Sequence, residues 1–251
     1  MTTEHQQLIT NLDYLKLQEM KIHLNDTISF INLNELTFEQ GLVKLTGYEV
    51  DKKEESATKS MVRAAAFPHL KEITDFDFSY QESINKEQIL DFLNHRFIDE
   101  KENIVFLGSS GVGKTHLATS IGISVARKRM TTYFIKCSDL ILQLKKAKME
   151  NRLDSRLKHF ASYTLLIIDE LGYLPIDRED SKLFFQLIDR RYEKKSTIIT
   201  TNINFNNWDE IFMDPVIANA ILDRVLHHAH VIHITGKSYR LKDYYADSDT
   251  K

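Results

Sequence analysis

The chain has 251 residues, 42% hydrophobic and 27% charged, with a formal net charge of −3. That balance suits a globular protein of one moderate domain with a small appendage, and its mild acidity does not advertise nucleic acid. No run approaches about 18 apolar residues, the start MTTEHQQLITNLDYLK lacks the apolar core of a secretion signal, and Cys137 is the only cysteine, so the expectation is a cytoplasmic protein with no membrane span and no intrachain disulfide.

Residues 1–60 read as helical. Leu8, Leu12 and Leu15 fall at i, i+4 and i+7 on one helix face, and Leu36, Leu42, Val43 and Leu45 suggest a second helix. The charged stretch 51–61 reads as a solvated linker or an exposed helix face, and Pro68 then breaks the chain. These helices hold too few apolar residues for a large core. The expectation is a small N-terminal helical domain, residues 1–65, before a core domain at 66–251, with the boundary between 50 and 75. From about residue 100, short apolar runs alternate with amphipathic stretches: Ile104–Leu107, Thr132–Ile135, Leu165–Ile168, Thr197–Thr200 and Val231–Ile234. Five short strands separated by helices predict an α/β fold with a five-stranded parallel sheet.

The first strand runs into Gly108-Ser109-Ser110-Gly111-Val112-Gly113-Lys114-Thr115, the full G-x-x-x-x-G-K-T pattern, and a helix opens at His116. Glycines let backbone N–H groups turn inward around phosphate oxygens, and the helix N-terminus adds a favourable dipole. Lys114 is placed to reach the β- and γ-phosphates of ATP, and the Thr115 hydroxyl to ligate Mg²⁺. The third strand ends in Asp169-Glu170. Asp169 is expected to hold Mg²⁺ through water, and Glu170 to polarise the attacking water. The fourth strand ends in Asn202, an amide that could touch the γ-phosphate or that water.

The segments Thr115-His-Leu-Ala118, Ile167-Ile-Asp-Glu-Leu-Gly-Tyr173, Thr200-Thr-Asn202, Leu222-Asp-Arg-Val-Leu-His-His228 and Gly236-Lys-Ser-Tyr-Arg240 together resemble IstB, the ATP-binding helper of a bacterial insertion sequence. Its relatives are the helicase loader DnaC and the initiator DnaA, of the AAA+ superfamily. The resemblance covers nearly the whole chain. The phosphate loop departs from the more usual Gly-Pro-Pro-Gly-Thr-Gly but keeps the essential Gly, Lys and Thr. The resemblance implies an AAA+ P-loop core that forms an ATP-dependent homo-oligomer, binds double-stranded DNA and recruits a partner transposase. It also implies an arginine acting in trans: Arg224 matches the arginine-finger position, with Arg178 and Arg240 as weaker candidates. Only 11 residues follow Arg240, too few for the C-terminal lid domain common in AAA+ proteins.

Between Arg127 and Lys158, ten basic residues face three acids, a local excess of seven positive charges. Ser138 could cap a helix carrying Leu140, Ile141 and Leu144 inward and Lys145, Lys146 and Lys148 outward, with Arg152 just beyond. In initiator-type relatives an extra helix here faces DNA, which implies phosphate contacts without base reading. The histidines His227, His228, His230 and His233 are read as structural rather than metal-binding. Two other functions compete: a helicase loader whose partner is a protein ring, and a small-molecule P-loop kinase.

Overall fold

In a computed structural model, residues 3–173 and 176–242 are described. They divide into two units, 1–60 and 61–251. The first is helical: α1 (Thr3–Tyr14), α2 (Gln18–Leu33) and most of α3 (Phe38–Ala64). Its core is small, with Leu12, Leu24 and Leu45 buried together. Of the residues that suggested a second helix, Leu42, Val43 and Leu45 lie in α3, with Leu42 and Val43 exposed and Leu45 buried, and Leu36 precedes it. The charged stretch 51–61 continues α3 as a solvent-facing helix. Glu49 of α3 is buried and accepts from the backbone N–H of Glu19 and Met20, satisfying donors that the start of α2 leaves open.

The second unit opens with two short helices, α4 (Lys86–Asp91) and α5 (Arg96–Asp99), and continues as alternating strands and helices. The strands are β1 (Asn103–Gly108), β2 (Thr132–Lys136), β3 (Leu165–Leu171), β4 (Ser196–Thr201) and β5 (Ala229–Ile234). All pair in parallel, in the order β2-β3-β4-β1-β5. Connecting helices are α6 (Lys114–Arg127), α7 (Cys137–Met149), α8 (Leu153–Ser162), α9 (Arg178–Arg191), α10 (Trp208–Phe212) and α11 (Pro215–Leu226). The expected five-stranded parallel α/β fold is therefore present.

Alternation along each strand explains the two cores. Leu165 and Ile167 pack with Leu117, Ile121 and Val125 of α6. Leu166 and Ile168 pack with Leu140 and Leu144 of α7, Phe160 of α8 and Phe184 of α9. A central strand buried on both faces thus reads as an unbroken apolar run. β5 departs from the buried strand expected of it. As an edge strand it exposes Val231 and His233 while burying Ile232 and Ile234.

Caps set the helix starts. Asp177 accepts from the Asp180 N–H at the start of α9, and Asp214 accepts from Val216 and Ile217 ahead of Pro215 in α11. Ser138 is not a cap. α7 begins at Cys137, directly after β2, and Lys136 holds the cap position without a side-chain capping bond.

Arg191, at the end of α9, is 1% exposed. Its guanidinium donates to the carbonyls of Phe160, Tyr163 and Ser196 and to the Thr197 hydroxyl, tying α8, α9 and β4 together. Burial alone pushes its pKa down, to about 9, so it stays charged at neutral pH. Replacing Arg191 by Met strands several buried acceptors at once. A loss of about 3–5 kcal/mol is expected, read as a lower denaturant midpoint in a circular dichroism titration; a loss below about 1 kcal/mol would contradict this role.

Candidate nucleotide-binding site

The phosphate loop joins the C-terminal end of β1 to α6. Gly111 and Gly113 adopt φ of 82° and 103°, conformations that disfavour any side chain. A Cβ on Gly113 would run into the Phe76 ring, and one on Gly111 into the Ser238 hydroxyl. Lys114 Nζ donates to the carbonyls of Gly108 at 2.6 Å and Ser109 at 2.7 Å, so the loop's own backbone holds it over the position phosphates would take. Burial pushes the Lys114 pKa down. Asp169 opposes that shift, and Arg240 adds to it.

Asp169 ends the apolar run of β3 and is 1% exposed. The Thr115 hydroxyl donates to its Oδ1 at 2.9 Å, and the Thr200 hydroxyl to the same oxygen at 2.5 Å. Burial raises the Asp169 pKa, against the lowering by those two hydroxyls. A buried carboxylate met mainly by hydroxyls is a hard-oxygen donor set that fits a small divalent cation such as Mg²⁺. Glu170 follows with φ of 60°, beside a register shift between β3 and β4. Its backbone N–H donates to the Thr200 hydroxyl at 3.0 Å, and its exposed carboxylate pairs with Lys136 Nζ at 2.8 Å.

These groups border one cleft of about 360 Å³. Of the predicted phosphate-loop residues, Ser110, Gly111, Gly113, Lys114, Thr115 and His116 line it. Val112 turns its side chain into the core at 0% exposure, Gly108 packs against Ile234, and neither they nor Ser109 line the cleft. Asp169, Glu170 and Asn202 do. His69 and Tyr239, not singled out from the sequence, are also lining residues, as is Phe76. The signal available for Tyr239 was its place in Gly236–Arg240. That segment sits on the loop: the Tyr239 N–H donates to the Gly111 carbonyl at 2.9 Å, and Tyr80 and Gln81 donate to the carbonyls of Ser238 and Lys237.

The arginines separate. Arg240 lines the cleft of its own chain. Arg178 pairs with Asp214 at 2.8 Å. Arg224 is not among the lining residues; it bonds Asp189 at 2.7 Å and stacks over Phe185. On α7, Lys145 pairs with Asp180 at 2.8 Å and Lys148 with Glu179 at 3.3 Å, both acids at the start of α9. Arg152 pairs with Glu150, and Lys146 is exposed. The local positive excess is therefore partly answered by acids from elsewhere in the fold. His230 bonds Glu102 at 2.8 Å. His227 and His228 meet Glu193 at the surface, with potential ligand atoms within 4.8 Å of one another.

Because burial raises the Asp169 pKa, its ionised form costs stability, and that cost grows as pH rises through the raised value. Asp169→Asn should raise the melting temperature of the nucleotide-free, EDTA-treated protein at pH 7, with the gain shrinking on acidification. Scanning fluorimetry across pH checks this; a melting temperature lowered at pH 7 would contradict it.

The IstB-like ATP binding protein family matches residues 10–246. The chain is 65% identical over 246 residues to the ATP-binding protein of insertion sequence IS232 from Bacillus thuringiensis subsp. berliner, covering 98% of each. It is 38% identical over 232 residues to that of insertion sequence IS21 from Pseudomonas aeruginosa, covering 92% of this chain and 88% of the relative. Among solved structures, the DnaC helicase loader is similar at 26% identity and a TM-score of 0.54, over 70% of this chain and 99% of that one. AMPPCP-bound DnaA from Aquifex aeolicus shares the fold at 16% identity and a TM-score of 0.57, over 74% of this chain and 57% of that one. With these matches laid on the phosphate loop and the acidic strand end, the chain belongs to the IstB-like ATP-binding protein family and is an ATPase of the AAA+ P-loop class.

Proposed function

We propose that this chain binds ATP with Mg²⁺ in the cleft, hydrolyses it using Glu170, and uses the cycle to assemble on duplex DNA for a partner transposase. The observation that carries the ATPase chemistry is the convergence of Lys114, Thr115, Asp169, Glu170 and Asn202 on one cleft. Lys114 leaves its loop carbonyls for the β- and γ-phosphates, with backbone N–H groups of residues 110–115 around them. Thr115 and Asp169 would hold Mg²⁺, which neutralises phosphate charge when bound. Glu170 orients a water and accepts its proton as the water oxygen bonds to the γ-phosphorus and the bond to the β–γ bridging oxygen breaks, leaving ADP and phosphate. Asn202 steadies the water or the γ-phosphate. Arg224, away from its own cleft, supplies positive charge to a neighbour's in a homo-oligomer.

The DNA reading rests on α7. Lys146 is exposed, Lys148 is held by a surface ion pair worth only about 0.2–1 kcal/mol, which a phosphate can replace, and Lys145 pairs with the buried Asp180. Lys145, Lys146, Lys148 and Arg152 make weak contacts that add up when several copies line one duplex. Tyr14, Leu33 and Phe38 of the first unit are each at least 80% exposed, apolar surface that suits a protein partner, here the transposase. A helicase-loader role has less support: the likeness to DnaC covers 70% of the chain at 26% identity, against 98% at 65% for the insertion-sequence relative.

Glu170→Gln keeps the side chain's shape without its charge. It should bind ATP normally in calorimetry and lose turnover by about 100-fold or more; wild-type turnover would show that another group orients the water. Replacing Lys145, Lys146 and Lys148 together by alanine should weaken duplex binding for all sequences alike. The salt slope should fall by about one for each phosphate no longer neutralised. Fluorescence anisotropy at several salt concentrations, with and without ATP, is the measurement. An unchanged affinity and slope would move the DNA path elsewhere.

A further inference from the structure

The histidines that follow α11 divide in the structure. His230 bonds Glu102 at 2.8 Å and packs edge-on against Phe92, as a structural side chain does. His227 and His228 instead stand at the surface around one carboxylate. His227 Nδ1 lies 3.8 Å and His228 Nε2 3.6 Å from the same oxygen, Oε1 of Glu193, and all three side chains are exposed. The two imidazole centroids are 4.0 Å apart.

Two helix ends bring these groups together. His227 follows the last turn of α11, and its N–H closes that turn on the Asp223 carbonyl. The His228 carbonyl accepts from the Asn103 N–H at 2.8 Å, where β1 begins. Glu193 follows α9 with a left-handed φ of 55°, in a turn that the N–H groups of Lys194 and Lys195 close on the Arg191 carbonyl. The backbone carrying all three side chains is therefore held in place by the fold itself. Both helices end beside the cluster, and a helix C-terminus favours a cation.

We propose that Glu193, His227 and His228 form a binding site for a divalent transition ion of the zinc class. In a tetrahedral Zn²⁺ site, ligand atoms about 2.1 Å from the metal stand about 3.4 Å from one another. The observed 3.6 and 3.8 Å to the shared carboxylate oxygen are a small side-chain rotation away from that spacing, and the ligand atoms all lie within 4.8 Å of one another. Two imidazoles and one carboxylate are a three-ligand zinc donor set, with a fourth position for water. Imidazole nitrogen also separates this site from the cleft, where Asp169 and Thr115 offer hard oxygen suited to Mg²⁺. Tyr192 stands outside the ligands. Its hydroxyl meets His227 Nδ1 at 2.6 Å and also bonds the Glu193 carboxylate, so it can turn to the carboxylate when the metal takes the nitrogen. An ion held there would clip the end of α9 to the end of α11. Arg224, one turn before His227, already bonds Asp189 and stacks over Phe185, both of α9, so the metal would brace the two helices that hold this arginine.

The test is isothermal calorimetry of the full chain, stripped with EDTA, dialysed and titrated with Zn²⁺, with and without excess Mg²⁺. Wild type should bind one Zn²⁺ per chain in a saturable step at micromolar metal, and Mg²⁺ should leave that step unchanged. His228→Ala and Glu193→Gln should each weaken it by more than the roughly 10-fold that loss of an outer partner costs, and a His227→Ala, His228→Ala double variant should abolish it. All three positions are at the surface, so the variants should keep the wild-type circular dichroism. Co²⁺ in place of Zn²⁺ should give wild type the visible absorption of a four-coordinate site and leave the double variant colourless. A wild type with no saturable step overturns the proposal, as does any of these variants binding with wild-type affinity. A step that excess Mg²⁺ abolishes also overturns it, because the ion would then sit in the nucleotide cleft.

Discussion

The Asp169 carboxylate, shut away from solvent at the end of β3 and held by the hydroxyls of Thr115 and Thr200, is the constraint around which the site is arranged. Thr115 opens α6 and Thr200 lies in β4, so one buried oxygen joins the phosphate loop, the acidic strand and the next strand. Burying an ionised carboxylate against little more than hydroxyls is costly. That leaves an unmet demand for positive charge where nucleotide phosphates would bring a cation. The same Thr200 oxygen accepts from the Glu170 backbone, so the groups assigned to cation and water share one anchor.

Sheet order explains why one edge gathers every chemical group. With β1 between β4 and β5, and β3 beyond β4, parallel pairing brings the C-terminal ends of the strands together, where crevices form in doubly wound sheets. The turns leaving β1, β3 and β4 bring the lysine, the acids and the amide. Past β5, the segment holding Tyr239 folds back on Gly111, and Tyr80 and Gln81 grip it from the other side. That return places Arg240 in the cleft of its own chain.

Charge is organised by docking between elements rather than by composition. The basic face of α7 meets the acidic first turn of α9, where the acids also favour the helix dipole. The Lys148–Glu179 pair is exposed and therefore weak and exchangeable, whereas Lys145 meets the buried Asp180. Arg191 shows the opposite regime: fully buried, it is satisfied by fixed carbonyls and the Thr197 hydroxyl.

Contiguous residues made much of this legible from the sequence. The G-x-x-x-x-G-K-T run, the apolar strand ending in Asp169-Glu170 and the five strand segments are short-range patterns. Their spacing already encodes the turn, the helix start and the alternation of faces. What the spacing left open is which side chains meet across elements. Ser138 looked like a cap, but β2 runs straight into α7. Val231 looked buried, but β5 lies at an edge. Arg240 in its own cleft, Lys145 and Lys148 on the acids of α9, and Lys136 on Glu170 are all decided by how strands and helices dock. Those contacts depend on strand order and helix rotation, which many sequences with the same local pattern could satisfy differently. Local chemistry was therefore written in the chain, and which side chains meet across elements was decided only by the tertiary structure.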